Sequence, residues 1–382
     1  MLTLPFFDDT HRRLAAALAD FRRAAIDPLA AEVERGDPVS WGRDVVRRAG
    51  AAGLLPLFVG RDGARPELRS LCLAREAIAA GSAFADSVLA VSGLGGFPIA
   101  FAGGASLADR YVRAAAEGDA VGAFALTEAG AGSDPSGIET AARRDGDGYV
   151  LSGRKLYISN AGVATFYVVF ARTGAGSRGL SAFVVDAGAP GFRVERQIET
   201  SAPHPLGALA FDDCRVPVAQ RVGEEGSGLK IALATLDFFR ASVGAAACGL
   251  AARALEEARR YAAGRRQFGC AVADFQATKI ALADMATELD AARLLVYRAA
   301  WVKDAGAERV TTEASMAKLF ATEAAQRIVD RAVQIHGARG VTRGETVERL
   351  YREVRALRIY EGTSEIQRLV IAGRLMEPGA PA

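Results

Sequence analysis

GYVLSGRKLYIS, residues 148–159, decides the fold. It is rich in β-branched and aromatic residues, and the glycine turn DGDG at 145–148 leads into it. The same texture returns in ATFYVVFAR (164–172), LSAFVVD (180–186) and GFRVERQ (191–197), with no long helical pattern between them. Short strands without intervening helices predict a small antiparallel sheet or barrel, not a parallel βαβ sheet. The predicted β region covers residues 119–228.

Outward from it the period changes from two to helical. On the N-terminal side, HRRLAAALADFRRAAIDPLAAEV (11–33) and LRSLCLAREAIAA (68–80) carry helical spacing, and GLGG at 93–96 marks a joint. On the C-terminal side, long amphipathic stretches occupy 229–266, 274–303 and 310–337, and a last helix is predicted to start near Ser364. Four such helices with short loops suggest an antiparallel bundle. The predicted fold class is therefore α+β and mainly α. An N-terminal helical domain (1–118) precedes a middle β domain (119–228) and a C-terminal helical bundle domain (229–382).

Composition sets the outer limits. A chain of 382 residues exceeds the usual size of a single core, so two or three domains are expected. The formal net charge of +2 gives no electrostatic case for nucleic acid. Four scattered cysteines form no CxxC pair, which argues against a zinc site or a disulfide framework. The N-terminus lacks the basic and apolar pattern of a signal peptide, and no apolar run reads as long enough to span a bilayer. A cytoplasmic location is the expectation.

Three segments carry residue types suited to chemistry. FALTEAGAGSDPSG (124–137) offers a glycine turn whose N–H groups suit a phosphate, or simply a tight turn between domains. The dinucleotide fingerprint fails, because Pro135 stands where its last glycine belongs. RKLYISN (154–160) places Tyr157 to stack on a flat heterocycle and Ser159 to donate to a ring nitrogen, or it is an ordinary half-buried strand. LRIYEGTSEIQRLVIAGRLM (357–376) sets Glu361 before Gly362, with Thr363 or Ser364 as a helix cap. A carboxylate in that apolar context suits a base of raised pKa, and a solvated loop acid is the alternative. His11, His204 and His336 show no metal spacing, and no GxSxG elbow is present.

Together these segments resemble the acyl-CoA dehydrogenase family, particularly its short-chain and general bacterial branch. The order FALTEAGAGSD, KLYISN, FDDCRVP (211–217), LDFFR (236–240), RRQFG (265–269), DFQ (274–276), QIHGARG (334–340) and IYEGTSEIQRLVIAGRL carries the likeness. The resemblance implies FAD as cofactor. Phe124, Leu126, Thr127, Gly132 and Ser133 would line the flavin and its pyrophosphate, with Tyr157, Ile158 and Ser159 beside the ring. Arg265, Phe268, Gln276, Gln334, Ile335, Gly337 and Ala338 would hold the FAD of a neighbouring subunit. Thr363 and Glu365 would also contact FAD. Asp237, Phe238, Phe239 and Arg240 would meet the CoA thioester, as would Ser133 and Gly362, with Glu361 as the catalytic base. The shared cofactor implies a homo-oligomer, usually a tetramer, and an electron-transferring flavoprotein as acceptor. No metal is implied.

Departures from the family pattern accompany the likeness. Tyr157 and Ser159 stand where tryptophan and threonine are usual, the 201–207 loop SAPHPLG lacks the expected polar pattern, and QIHGARG replaces a double-glycine form. Phe239 occupies the place of the family's second carboxylate position, which leaves Glu361 as the matching base. An acyl-CoA oxidase, an enzyme acting on carrier-protein thioesters and a non-catalytic flavin or CoA scaffold are the alternatives.

Overall fold

Tyr149, Leu151, Phe183, Leu209 and Phe211 turn one face of a sheet into the dry core of the middle of the chain. The computed structural model describes residues 2–61, 64–176 and 179–377. Chain contacts divide it into two compact units, residues 1–32, 68–86 and 237–382 in one and residues 33–67 and 87–236 in the other. The helices of the first 118 residues are shared between both units.

The second unit is built on an eight-stranded sheet: β1 (Gly122–Ala125), β2 (Ala141–Asp145), β3 (Gly148–Ser159), β4 (Phe166–Arg172), β5 (Leu180–Asp186), β6 (Phe192–Gln197), β7 (Leu206–Pro217) and β8 (Arg221–Val222). The strand order is β6-β7-β3-β2-β4-β5-β8, with β1 beside β4. Most neighbours are antiparallel, as predicted, but β4 runs parallel to both β1 and β2. The β2–β3 hairpin lies between β1 and β4 in sequence, so the chain can return in the same direction without a crossover helix. The β3–β7 register shifts between Lys155 and Ile158, so the strand end carrying Tyr157 leaves the regular ladder.

The first unit is helical. Helices Gln276–Asp304 and Thr311–His336 pack on each other, and Thr346–Val354 and Ser364–Leu375 pack on the second of them. Asp9–Phe21 and Leu68–Ala79 belong to the same unit. The last helix starts where the sequence predicts, with Thr363 as its cap accepting from Ile366 N at 3.3 Å.

One sequence expectation needs correction. Helices Ala83–Ala102 and Gly228–Gly264 are long and apolar enough to cross a membrane. In both, 78% of the apolar window is buried within the protein, which accounts for their composition.

Candidate active site

In the first unit the chain turns sharply between the short helix Arg355–Arg358 and the helix from Ser364. Glu361 takes φ +53° and Gly362 φ +91°. A left-handed conformation is routine for glycine and costly for glutamate, so the surroundings must impose it. They do so through backbone carbonyls. Lys318 Nζ donates to the Gly362 carbonyl at 2.7 Å, and Gln367 Nε2 donates to the same oxygen at 3.0 Å and to the Glu361 carbonyl at 3.3 Å. Both flanks of the turn are tied to Glu323, which accepts from Ser364 Oγ at 2.6 Å and from Arg358 Nε at 2.9 Å.

The Glu361 carboxylate is the chemically distinctive group. Its Oε2 is out of reach of solvent and has no hydrogen-bond partner. Burial pushes its pKa above the ordinary carboxylate value, Arg75, Lys318 and Arg240 oppose the rise, and Asp86 adds to it. Two of those three cations are already matched. Arg75 holds Asp86 through Nε at 3.0 Å and Nη2 at 2.8 Å, and donates from Nη1 to Ser242 Oγ at 2.9 Å. Arg240 pairs with Asp237 at 3.0 Å, and Asp237 also accepts from Thr311 Oγ1 at 2.9 Å. Tyr360 belongs to the same cluster, its hydroxyl pKa raised by burial. A carboxylate with one unpartnered oxygen and a raised proton affinity, held among buried cations, has the properties of a general base.

Phe238 and Phe239, from the segment assigned to substrate, are buried with rings 5.4 Å apart. Arg265, Phe268 and Gln276 lie on the surface of the first unit, with Phe268 95% exposed at φ +50°. Gln334, Gly337 and Ala338 are exposed at the end of helix Thr311–His336, with Ile335 half-buried. Thr363 is half-buried, and Glu365 is exposed in the first turn of the last helix.

In the second unit Phe124 lies on β1 against Phe170, and Leu126 is buried. Glu128 and Ala131 close a tight turn through two backbone bonds of 3.1 and 3.2 Å. Beyond it Gly132 and Ser133 are exposed. A Cβ built on Gly130 or Gly132 would meet nothing within 4 Å, so the backbone faces open space. The loop is pinned from below by Lys155, whose Nζ donates to the Leu126 carbonyl at 3.0 Å and to Glu128 at 2.7 Å. Thr127 accepts from Leu156 N at 2.9 Å, which fixes this loop to β3. Tyr157 then presents its ring, 58% exposed at φ +56°, while Ile158 turns inward. An exposed aromatic face, a hydroxyl-bearing strand end and an open glycine turn on adjacent segments form a donor set that fits a flavin and its phosphates.

The Ser159 hydroxyl is half-buried and lies 2.7 Å from His204 Nε2, while His204 Nδ1 is 3.3 Å from Ser87 Oγ. Burial lowers the His204 pKa to about 4, so the ring is neutral at physiological pH. Sequence reasoning left this histidine outside every site. Lys318, Arg75 and Asp86 also escaped it, although Lys318 stands on the buried stripe Ala314, Ala317, Ala321, Ala325 of its helix. A lone lysine on an apolar stripe is the signal that could have found it.

Comparison with known proteins bears on the family and the fold. The family descriptions for the acyl-CoA dehydrogenase N-terminal, middle and C-terminal domains match residues 8–119, 123–214 and 226–376. The short-chain specific mitochondrial acyl-CoA dehydrogenase of Bos taurus is 39% identical over 97% of this chain and 90% of its own. A 3-(aryl)acrylate reductase of Clostridium sporogenes is 36% identical over 97% of this chain and 100% of its own. The butyryl-CoA dehydrogenase structure from Megasphaera elsdenii superposes with a TM-score of 0.91 at 33% identity, covering 97% of this chain and 99% of that one. Its relatives are oxidoreductases of a flavoprotein family. The chain belongs to the acyl-CoA dehydrogenase family.

Proposed function

We propose that the chain dehydrogenates an acyl-CoA thioester between its α and β carbons, with Glu361 as the base and FAD as the oxidant. The observation that carries this is the half-buried Glu361 side chain, its Oε2 shielded and unpartnered and its carboxyl raised in proton affinity, on a turn of imposed geometry. A thioester α-proton is weakly acidic, and a desolvated carboxylate is the side chain suited to take it. Glu361 removes that proton, and the trans-2-enoyl thioester is the product. The flavin, when bound, supplies the acceptor for the hydride that leaves the β carbon.

The other residues bind and orient. Tyr157, Ile158 and Ser159 would hold the ring, with Phe124, Leu126 and Thr127. Gly132 and Ser133 would offer the phosphate-binding turn, supported by the open space above the glycines. Thr363 and Glu365 would complete the FAD contacts. Ser133, Asp237, Arg240 and Gly362 would meet the CoA thioester, with Phe238 and Phe239 shaping that region from within. The near-complete exposure of Phe268 supports its reaching, with Arg265, Gln276 and the 334–338 segment, to the FAD of a second copy in a homotetramer. An electron-transferring flavoprotein would then reoxidise the enzyme. The likeness to a 3-(aryl)acrylate reductase favours one second reading, the same chemistry run reductively. A carboxyl of raised pKa delivers a proton as readily as it removes one.

The test is anaerobic mixing of the FAD-loaded enzyme with butyryl-CoA, following loss of the oxidised flavin absorbance. Glu361→Gln is expected to keep its flavin and to bleach roughly a thousandfold more slowly. Parental bleaching in that variant overturns the assignment. Hydrogen peroxide formation as the main fate of electrons in air would instead mark an oxidase.

A further inference from the structure

Of the three cations around Glu361, Lys318 is the one without a carboxylate of its own. Arg75 closes on Asp86 and Arg240 on Asp237. Among the described residues no carboxylate lies within ion-pair distance of the Lys318 ammonium, and its hydrogen-bond partner is the Gly362 carbonyl at 2.7 Å. The lysine is fully buried. A buried ammonium with no ion-pair partner is costly, and methionine at that place would spare the cost. It therefore needs a reason beyond packing.

We propose that Lys318 is a positioning residue for the Glu361 carboxylate. Through the Gly362 carbonyl it fixes the left-handed turn that aims Glu361, and its unmatched charge balances the ionised carboxylate. The inference rests on Glu361 being the base.

The charges that weigh most on the pair come from several elements. Lys318 faces Glu361, Arg240, Glu323 and Glu365. Glu361 faces Arg75, Lys318, Arg240 and Asp86, with Tyr360 beside them. Burial lowers the Lys318 pKa to about 8 and Glu361 holds it up, so the ammonium is mostly charged at neutral pH. Glu323 is occupied by Arg358 and Ser364. Glu365 is exposed and solvated. Removing the Lys318 charge therefore changes the balance at Glu361 directly, and the sign is fixed. Without a neighbouring cation the carboxyl holds its proton to higher pH.

The experiment measures kcat and kcat/KM for butyryl-CoA against pH with FAD-loaded Lys318→Met and Lys318→Arg, alongside Glu361→Gln. Lys318→Met is expected to retain flavin, to lose roughly tenfold or more in kcat with much less change in KM, and to shift its acid limb upward by roughly one unit. Lys318→Arg keeps the charge and is expected to hold the acid limb at the parental position even where kcat falls. A purely structural lysine would lower thermal stability and leave the limb unmoved. A Lys318→Met holoenzyme with parental kcat and acid limb overturns the proposal, as does an Arg variant displaced as far as the Met variant. Should the Met variant not fold, Lys318→Gln carries the same test, because it keeps a donor and loses the charge. Parental turnover in Glu361→Gln would sink the assignment of the base itself, an outcome separate from any result at position 318.

Discussion

Two buried lysines, one in each unit, do the same local job in different electrostatic company. Lys155 donates to the Leu126 carbonyl under the glycine loop, and Lys318 donates to the Gly362 carbonyl behind the Glu361 turn. Both have pKa values lowered to about 8 by burial. Lys155, however, also grips Glu128 at 2.7 Å. Burial pushes the Glu128 carboxyl up, but Lys155 and backbone N–H donors outweigh it and hold the group below its ordinary value. The Lys155 charge is consumed within its own pair, whereas the Lys318 charge is left facing Glu361. The same hydrogen bond to a loop carbonyl thus serves packing in one unit and proton affinity in the other.

The largest effect that sharpens this contrast is expected at Lys155. Lys155→Met leaves Glu128 in a half-buried place with the Glu139 and Thr140 N–H groups, at 2.6 and 3.0 Å, as its backbone donors and no cation to match it. Breaking a buried pair from one side costs about 3–5 kcal/mol, and the surviving backbone donors place this case near about 3. Urea denaturation of the holoenzyme should read that loss, together with weaker flavin retention. The acid limb of its pH profile should stay where the parent's is. A displaced limb would erase the distinction between the two lysines.

Much of this was legible in the residues themselves. The short β-branched and aromatic runs in 148–186 give the sheet, and the helical period after residue 228 gives the helices, where burial on one face repeats along the element. Thr363 as a cap and Gly362 as a turn follow from local chemistry that needs no distant partner. What was not legible depends on distant pairs. Arg75 meets Asp86 across a helical joint and Ser242 across 167 positions. His204 finds Ser159 across 45 positions, from a proline-flanked loop with no period to betray its direction. The parallel placing of β1 beside β4 is equally a matter of chain return, which strand composition does not encode.

The next contrast separates glycines that the fold needs from glycines that a ligand would need. Gly362 sits at φ +91°, and a Cβ there would stand 2.5 Å from Gln367 Nε2. Gly362→Ala should cost about 1–3 kcal/mol by strain and crowding. Gly132 needs no left-handed backbone and has nothing within 4 Å. Gly132→Ala should leave stability within about 0.5 kcal/mol of the parent. If the 130–133 turn approaches a phosphate, that variant should nevertheless hold FAD less tightly, which equilibrium dialysis of the flavin would show. Equal FAD affinity in parent and variant would remove the turn from the cofactor site.

The smallest effect concerns the histidine of the second unit, and its sign differs from that of an exposed histidine. His204 has a pKa of about 4 in the fold, below its ordinary value of 6.5, because burial disfavours the imidazolium. Between those two values the unfolded chain binds a proton that the folded chain refuses. Stability must therefore fall as pH drops from about 6.5 towards 4, and it is fully present above that window. Lys155 and Lys318 are protonated in both states across this range, so they add no slope there. Replacing the ring by His204→Asn removes the titrating group while keeping an amide that can reach Ser159. The variant should lose less thermal stability than the parent between pH 6.5 and 4.5, even if it starts lower. Parallel melting curves for the two proteins over that interval would mean that the ring takes up its proton without leaving the fold, and that the Ser87–His204–Ser159 chain opens to water before the rest of the unit does.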